Sequence, residues 1–190
     1  MGWKLGIGDA ERIGDEIALG HLTSATLLAT GSTFQSSGAT ALSADAEIFL
    51  EIGRELAPNP TESEARRAVA ACGGALELVD LGDAQDGPQT VIADNIFHRA
   101  VAFGPRHPRL PADELDVRVL VNGQVRAAAS APDDFTQRLS AAARLLDAMQ
   151  ERMRPGDRVI TGAVVQVAVS EGDTVVADFG PLGRVHIGIE

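Results

Sequence analysis

Asp45, Glu47 and Glu51 occupy odd positions in "ALSADAEIFLEIGREL" (41–56), with Ala46, Ile48, Leu50 and Ile52 at the even ones. Successive side chains of a strand point to opposite faces, so the three acids share one side, interrupted by Phe49. A fourth acid, Glu77, sits between Leu76 and Leu78 in the apolar run "ALELVDL". An ionised carboxylate is costly to bury unless it is paired or bound to a cation. If the two strands are neighbours, Asp45, Glu47 and Glu77 form a set of hard oxygen donors. Such a set selects Mg²⁺, Mn²⁺ or Ca²⁺, whereas zinc prefers His and Cys, which are not clustered here. The same alternation also suits a half-exposed strand whose acids meet water, so both readings stay open on spacing alone.

The elements that must position these acids are readable in outline. "WKLGIG" reads as a short strand or loop, and "DAERIGDEIALG" as a short helix or turn with Asp9 as its cap. "HLTSATLLAT" is rich in β-branched residues, and a polar loop, "GSTFQSSGAT", precedes the acidic strand. Thr61 and Glu64 have the spacing of a capping box, with Ala65, Ala68, Val69 and Cys72 following at helical intervals. Gly73-Gly74 is expected to stop that helix. Residues 82–111 read as irregular. Asn122-Gly123 between alternating Val and Arg signals a hairpin. Leu139, Ala142, Leu145, Leu146 and Met149 mark an amphipathic helix, and several short strands with Gly-Asp turns close the chain.

Composition narrows the classes. The 190 residues suit one compact domain, and a formal charge of −11 repels nucleic acid and anionic membranes. An anionic metabolite would need a metal or a local cation to reverse the sign in its pocket. Cys72 is the only cysteine, which excludes an internal disulfide, suits a reducing cytosol and reads as a buried structural thiol. No signal peptide or membrane-length apolar run is present, so a cytoplasmic location is expected.

"GWKLG" at 2–6, "DAEIFLEIGREL" at 45–56, "ALELVD" at 75–80, "IADN" at 92–95 and "GDRVITGA…VSEGDTVVADFGPLGRV" at 156–185 occur in an order that resembles the fumarylacetoacetate hydrolase superfamily. The nearest branch is that of the 2-oxopent-4-enoate hydratases and 4-oxalocrotonate decarboxylases. The resemblance implies an α+β fold, a β-rich mixed roll or sandwich with two or three helices. It implies a single domain over 1–190 that lacks the family's usual N-terminal helical segment, and a homodimer.

By the same resemblance Asp45, Glu47 and Glu77 are the ligands of Mg²⁺ or Mn²⁺. Lys4 is the catalytic residue that neutralises a substrate carboxylate or assists proton transfer, and Thr161 and Gly162 join it in substrate binding at a Thr-Gly turn, unless that turn is only structural. Glu51, beyond the metal positions, is expected to be a solvated side chain. The implied activity is that of a metal-dependent lyase, a hydratase or decarboxylase, which acts on a small 2-oxo acid through a metal-stabilised enolate. A C–C hydrolase of acylpyruvate-type substrates and a catalytically weak subunit that pairs with a related enzyme are the alternatives.

The chain departs from the family pattern at four places. Asp45 replaces a Glu; Ile17, Ala18 and Leu19 stand where an acid is usual; Ile96, Phe97 and His98 replace small polar residues; and "APDDF" replaces a Gly-His-Pro loop. His98 is either a substitute acid or base or a structural histidine.

Overall fold

The computed structural model describes residues 2–7, 17–82, 87–109 and 114–190. Alternation at the acidic stretch does form a strand, β5 (Leu42–Ile52), the centre of a seven-stranded mixed sheet. Its neighbours are β10 (Arg158–Ala168) and β6 (Val69–Asp80), both antiparallel to it. Beyond β10 come β1 (Gly2–Gly6), parallel to it, and β2 (Ala18–Leu22); beyond β6 come β7 (His98–Phe103) and the two-residue β3 (Leu27–Leu28). A second sheet holds, in order, β4 (Thr33–Phe34), β12 (Arg184–Ile189), β11 (Thr174–Asp178), β8 (Asp116–Val121) and β9 (Gln124–Ser130).

The even face of β5 (Ala44, Ala46, Ile48, Leu50 and Ile52) joins one core with Val117, Val119, Val175, Val185 and Ile187 of the second sheet and with Leu139 and Leu146 of a helix, α3 (Phe135–Ala148). That burial fixes the register of β5, because a one-residue slip would drive Asp45 and Glu47 into the apolar core. The β-rich α+β roll expected from the sequence is what the chain adopts. The hairpin at Asn122-Gly123 is also as expected, with φ of 52° and 77° that suit a tight two-residue turn between β8 and β9. Asp9 and the short helix read around it lie mainly outside the described residues; the end of that stretch, Ala18–Gly20, belongs to β2. Among the described residues no helix is long and apolar enough to cross a membrane.

Two elements correct the sequence reading. Thr61 does cap a helix, α1 (Glu62–Ala68), through a complete capping box with Glu64, but the helix stops before the glycines. The chain turns directly into β6 at Val69, and Cys72, Gly73 and Gly74 lie within that strand. Gly73-Gly74 is therefore a site of close approach rather than a helix stop. A Cβ on Gly74 would collide with the fully buried ring of Phe179, and one on Gly73 with the Pro105 carbonyl oxygen. Gly74→Ala is expected to destabilise the fold by about 3 kcal/mol, near the upper end of overpacking costs, measured as a lower urea midpoint.

The second correction concerns 82–111, which is not irregular throughout: it contains a short helix, α2 (Pro88–Ala93), and β7. Cys72 is buried as expected, and its backbone pairs with His107 beyond β7.

Candidate metal centre

Register decides which acids meet. Asp45 lies directly opposite Glu77 across the β5–β6 pair, and Glu47 is two residues along on the same face. Each of the three offers a carboxylate oxygen within 4.8 Å of the others. They are not a solvated row: Asp45 is 6%, Glu47 2% and Glu77 0% exposed.

Burial, then repulsion from Glu77, pushes the Asp45 carboxyl up to about 7 against weaker opposition from Gln166 and Lys4. Burial and Glu77 also hold Glu47 well above its ordinary value, although Lys4 and the Gly162 amide oppose them. Burial acts on Glu77 in the same sense, but the charge of Lys4 and the hydrogen bond and charge of His98 outweigh it and leave Glu77 lowered. One ionised member thus sits beside two that resist ionisation until a further positive charge arrives.

Lys4, on β1, is 3% exposed and bridges Glu77 Oε1 at 2.7 Å; its ammonium also donates to the Ile96 carbonyl at 2.8 Å. Two of its three protons are thereby used, and the side chain lines the cleft above the acids. Its first partner is a ligand carboxylate.

Thr161 and Gly162 are not a turn between strands but a β-bulge inside β10, where the pairing with β5 slips between Ile160 and Ala163. Gly162 takes φ +96°, and its amide donates to Glu47 Oε2 at 2.7 Å. The buried Thr161 hydroxyl donates to Ile48 O at 2.8 Å, while Arg138 of α3 donates to Thr161 O at 2.8 Å. Neither residue is among those that line the cleft; the bulge acts on it through Glu47.

Glu51, expected to be solvated, is instead held by Arg106 and Arg158, and its side chain is only 14% exposed. It borders a second cleft of about 300 Å³, with Leu22, Thr23, Ser24, Phe103 and Arg158. The buried cluster Leu22, Phe49, Ala75, Val101 and Ile160 lies on the same sheet face. Phe49, which interrupts the acidic row, thus sets Glu51 apart from the other acids.

The segment after α2 supplies what the sequence did not disclose. Asn95, Ile96 and Phe97 all have left-handed φ, at 54°, 53° and 64°. Three such residues without glycine cost roughly 1–2 kcal/mol each, and the surroundings must hold them. The Asn95 side chain clamps the His21 backbone with bonds of 2.7 and 2.9 Å, Ile96 N–H donates to Val91 O, and Asp80 N–H donates to Phe97 O. This turn delivers the Ile96 carbonyl to Lys4 and His98 to Glu77, with His98 Nδ1 at 2.6 Å from Glu77 Oε1. Asn95, a residue type that tolerates this conformation, is the only local signal for it.

The donor set fits a hard divalent cation. Three carboxylates against the Lys4 ammonium leave two negative charges when all are ionised. Two of their buried oxygens, Asp45 Oδ1 and Glu77 Oε2, have no partner among the described residues. The cleft over them measures about 220 Å³ and has an apolar side formed by Ile7, Val79, Leu81, Ile96 and Phe97.

Solved structures share the fold. 4-Oxalocrotonate decarboxylase from Pseudomonas putida G7, complexed with magnesium and adipate, aligns with a TM-score of 0.88 at 20% identity, over 100% of this chain and 77% of its own. Fumarylpyruvate hydrolase from Pseudomonas aeruginosa, in complex with Mn²⁺ and pyruvate, gives 0.74 at 17% over 98% and 88%. 5-Carboxymethyl-2-hydroxymuconate delta-isomerase from Mycobacterium smegmatis gives 0.72 at 18% over 98% and 75%. No curated protein sequence matches the chain significantly. The motifs that resemble a superfamily and the roll that carries them are joined by a direct match: residues 14–189 fit the profile described as fumarylacetoacetate (FAA) hydrolase C-terminal, and the chain belongs to that family.

Proposed function

We propose that this chain is a divalent-cation-dependent lyase, a hydratase or decarboxylase, that acts on a small 2-oxo acid. The observation that carries this reading is the convergence of Asp45, Glu47 and Glu77 in a buried position, where two of them resist ionisation for want of a further positive charge and two oxygens have no partner among the described residues. Those three residues would hold Mg²⁺ or Mn²⁺. Bound there, the cation would supply a Lewis acid for the keto group and a sink for negative charge that develops beside it. Similar folds lend support: a decarboxylase complexed with magnesium and a hydrolase with Mn²⁺ and pyruvate, itself a 2-oxo acid.

The protein's own residues do the rest. The remaining Lys4 proton is available to the substrate carboxylate, which lets an anion enter a chain of charge −11. Gln166 and the Gly162 amide hold Asp45 and Glu47 in place. Ile7, Val79, Ile96 and Phe97 offer an apolar wall to the remainder of the substrate and limit water there. Decarboxylation needs no added water, whereas hydration and C–C hydrolysis both do, and both ring nitrogens of His98 are engaged, by Glu77 and Thr26, which leaves it no free base to activate that water.

The test is turnover of a panel of four- to six-carbon 2-oxo acids, followed by the change in enol or enone absorbance and by CO₂ release, in Mg²⁺, Mn²⁺ or chelator. Turnover that needs the cation is expected. Equal rates in chelator, or no thermal shift at any Mg²⁺ or Mn²⁺ concentration, would overturn the reading; at a hundredfold the dissociation constant a bound ion stabilises by about 2.7 kcal/mol.

A further inference from the structure

Glu77 is loaded on one side only. Its Oε1 accepts from Lys4 at 2.7 Å and from His98 Nδ1 at 2.6 Å, whereas Oε2 is buried without a partner among the described residues. His98 is itself 5% exposed, and its second nitrogen, Nε2, lies 2.9 Å from the hydroxyl of Thr26. Thr26 ends the 3-10 turn Ser24–Thr26, where the same hydroxyl also reaches Thr23 O at 3.2 Å. A chain of contacts therefore runs from a surface turn, through a buried imidazole, to a carboxylate of the proposed metal centre.

We infer that His98, clasped by Thr26, is a positioning residue that makes Glu77 a single-oxygen ligand and aims Oε2 at the cation. This rests on the metal-dependent reading above. A carboxylate oxygen has two lone-pair sites, and Lys4 and His98 fill both on Oε1. That oxygen cannot also ligate, so two-oxygen chelation by Glu77 is closed. The terminal torsion of a glutamate is broad and nearly two-fold, so an unheld carboxylate would sample both oxygens; the two donors remove that freedom. Because Oε1 only accepts, Nδ1 carries a proton whatever the state of Nε2. The Thr26 hydroxyl can donate or accept and so serves either state. The left-handed turn at 95–97 leads directly into His98, which gives those strained residues a purpose at the site.

Removal of such outer partners typically weakens metal binding by 10–100-fold. The experiment is calorimetric titration of Mg²⁺ and of Mn²⁺ into chelator-treated wild type, His98→Leu, His98→Gln and Thr26→Val, each checked for native secondary structure by circular dichroism. His98→Leu should weaken both ions by roughly 10–100-fold. His98→Gln, which can restore an N–H donor, should recover most of the loss, and Thr26→Val should fall between. Unchanged affinity in His98→Leu, or His98→Gln as weak as His98→Leu, would overturn the inference while the metal reading stands. Wild type that binds neither ion would overturn both. If His98→Leu does not fold, Thr26→Val decides: affinity equal to wild type ends the proposal.

Discussion

Lys4→Met should cost the chelator-treated protein about 3–5 kcal/mol, because removing one member of a buried ion pair leaves the other charge uncompensated. In a chain of 190 residues that is a fall in Tm of roughly 10 °C. Met preserves length and apolar contacts, so the loss reports the charge. Glu77 would keep His98 on Oε1 but lose the ammonium that opposes burial, and the left-handed Ile96 would lose the donor on its carbonyl. Saturating Mg²⁺ should restore part of the stability, since a cation among three acids supplies the missing positive charge. Turnover should not recover with it. Loss of a charge-assisted hydrogen bond to the substrate carboxylate, worth about 1.5–3 kcal/mol, raises KM by roughly 10–100-fold. A variant with wild-type stability in chelator would remove the first role of Lys4, and one with full activity once Mg²⁺ restores the fold would remove the second.

The parts of this site that were legible in sequence are those encoded by local periodicity. Alternation placed Asp45 and Glu47 on one face, and an acid between two leucines marked Glu77 as a charge that needs a partner. The pairing of Asp45 with Glu77, by contrast, depends on a register between segments about thirty residues apart, and only the family resemblance pointed to it. Gly73-Gly74 misled because a glycine pair after a helical pattern is an ordinary stop signal, whereas here its cause is the Phe179 ring, more than a hundred residues away. Glu51 misled for a similar reason: its partners, Arg106 and Arg158, come from distant segments. His98 was visible only as a departure from a pattern. Its placement depends on three consecutive left-handed residues, two of them, Ile96 and Phe97, of types that rarely adopt this conformation, so no propensity argument would have found it.

Glu47→Gln should abolish metal binding and, in chelator near neutral pH, make the protein more stable than wild type. The sign follows from the raised carboxyls. Between about pH 4 and 7 the native protein keeps the proton on Asp45 that the unfolded chain has released, and Glu47, raised by burial in the same sense, adds to the effect, so the unfolded state binds fewer protons and stability falls as pH rises. For Asp45, a shift from 3.8 to about 7 sets a ceiling on the order of 4 kcal/mol, complete above pH 7. Glu77 works in the opposite sense, but its stabilising contribution is lost only as pH falls below the ordinary range near 4.5, so it does not shape this window. A Gln at position 47 keeps the shape and an oxygen for the Gly162 amide and removes one of the two resisted charges. The unfolding free energy of wild type in chelator should therefore slope downward from pH 4.5 to 7, and the slope should be shallower in Glu47→Gln. Added Mg²⁺ should reverse the trend in wild type alone, because ligation requires deprotonated carboxylates and strengthens with pH. A rising slope for chelated wild type, or the same Mg²⁺-induced gain in both proteins, would mean that these acids do not share one cation.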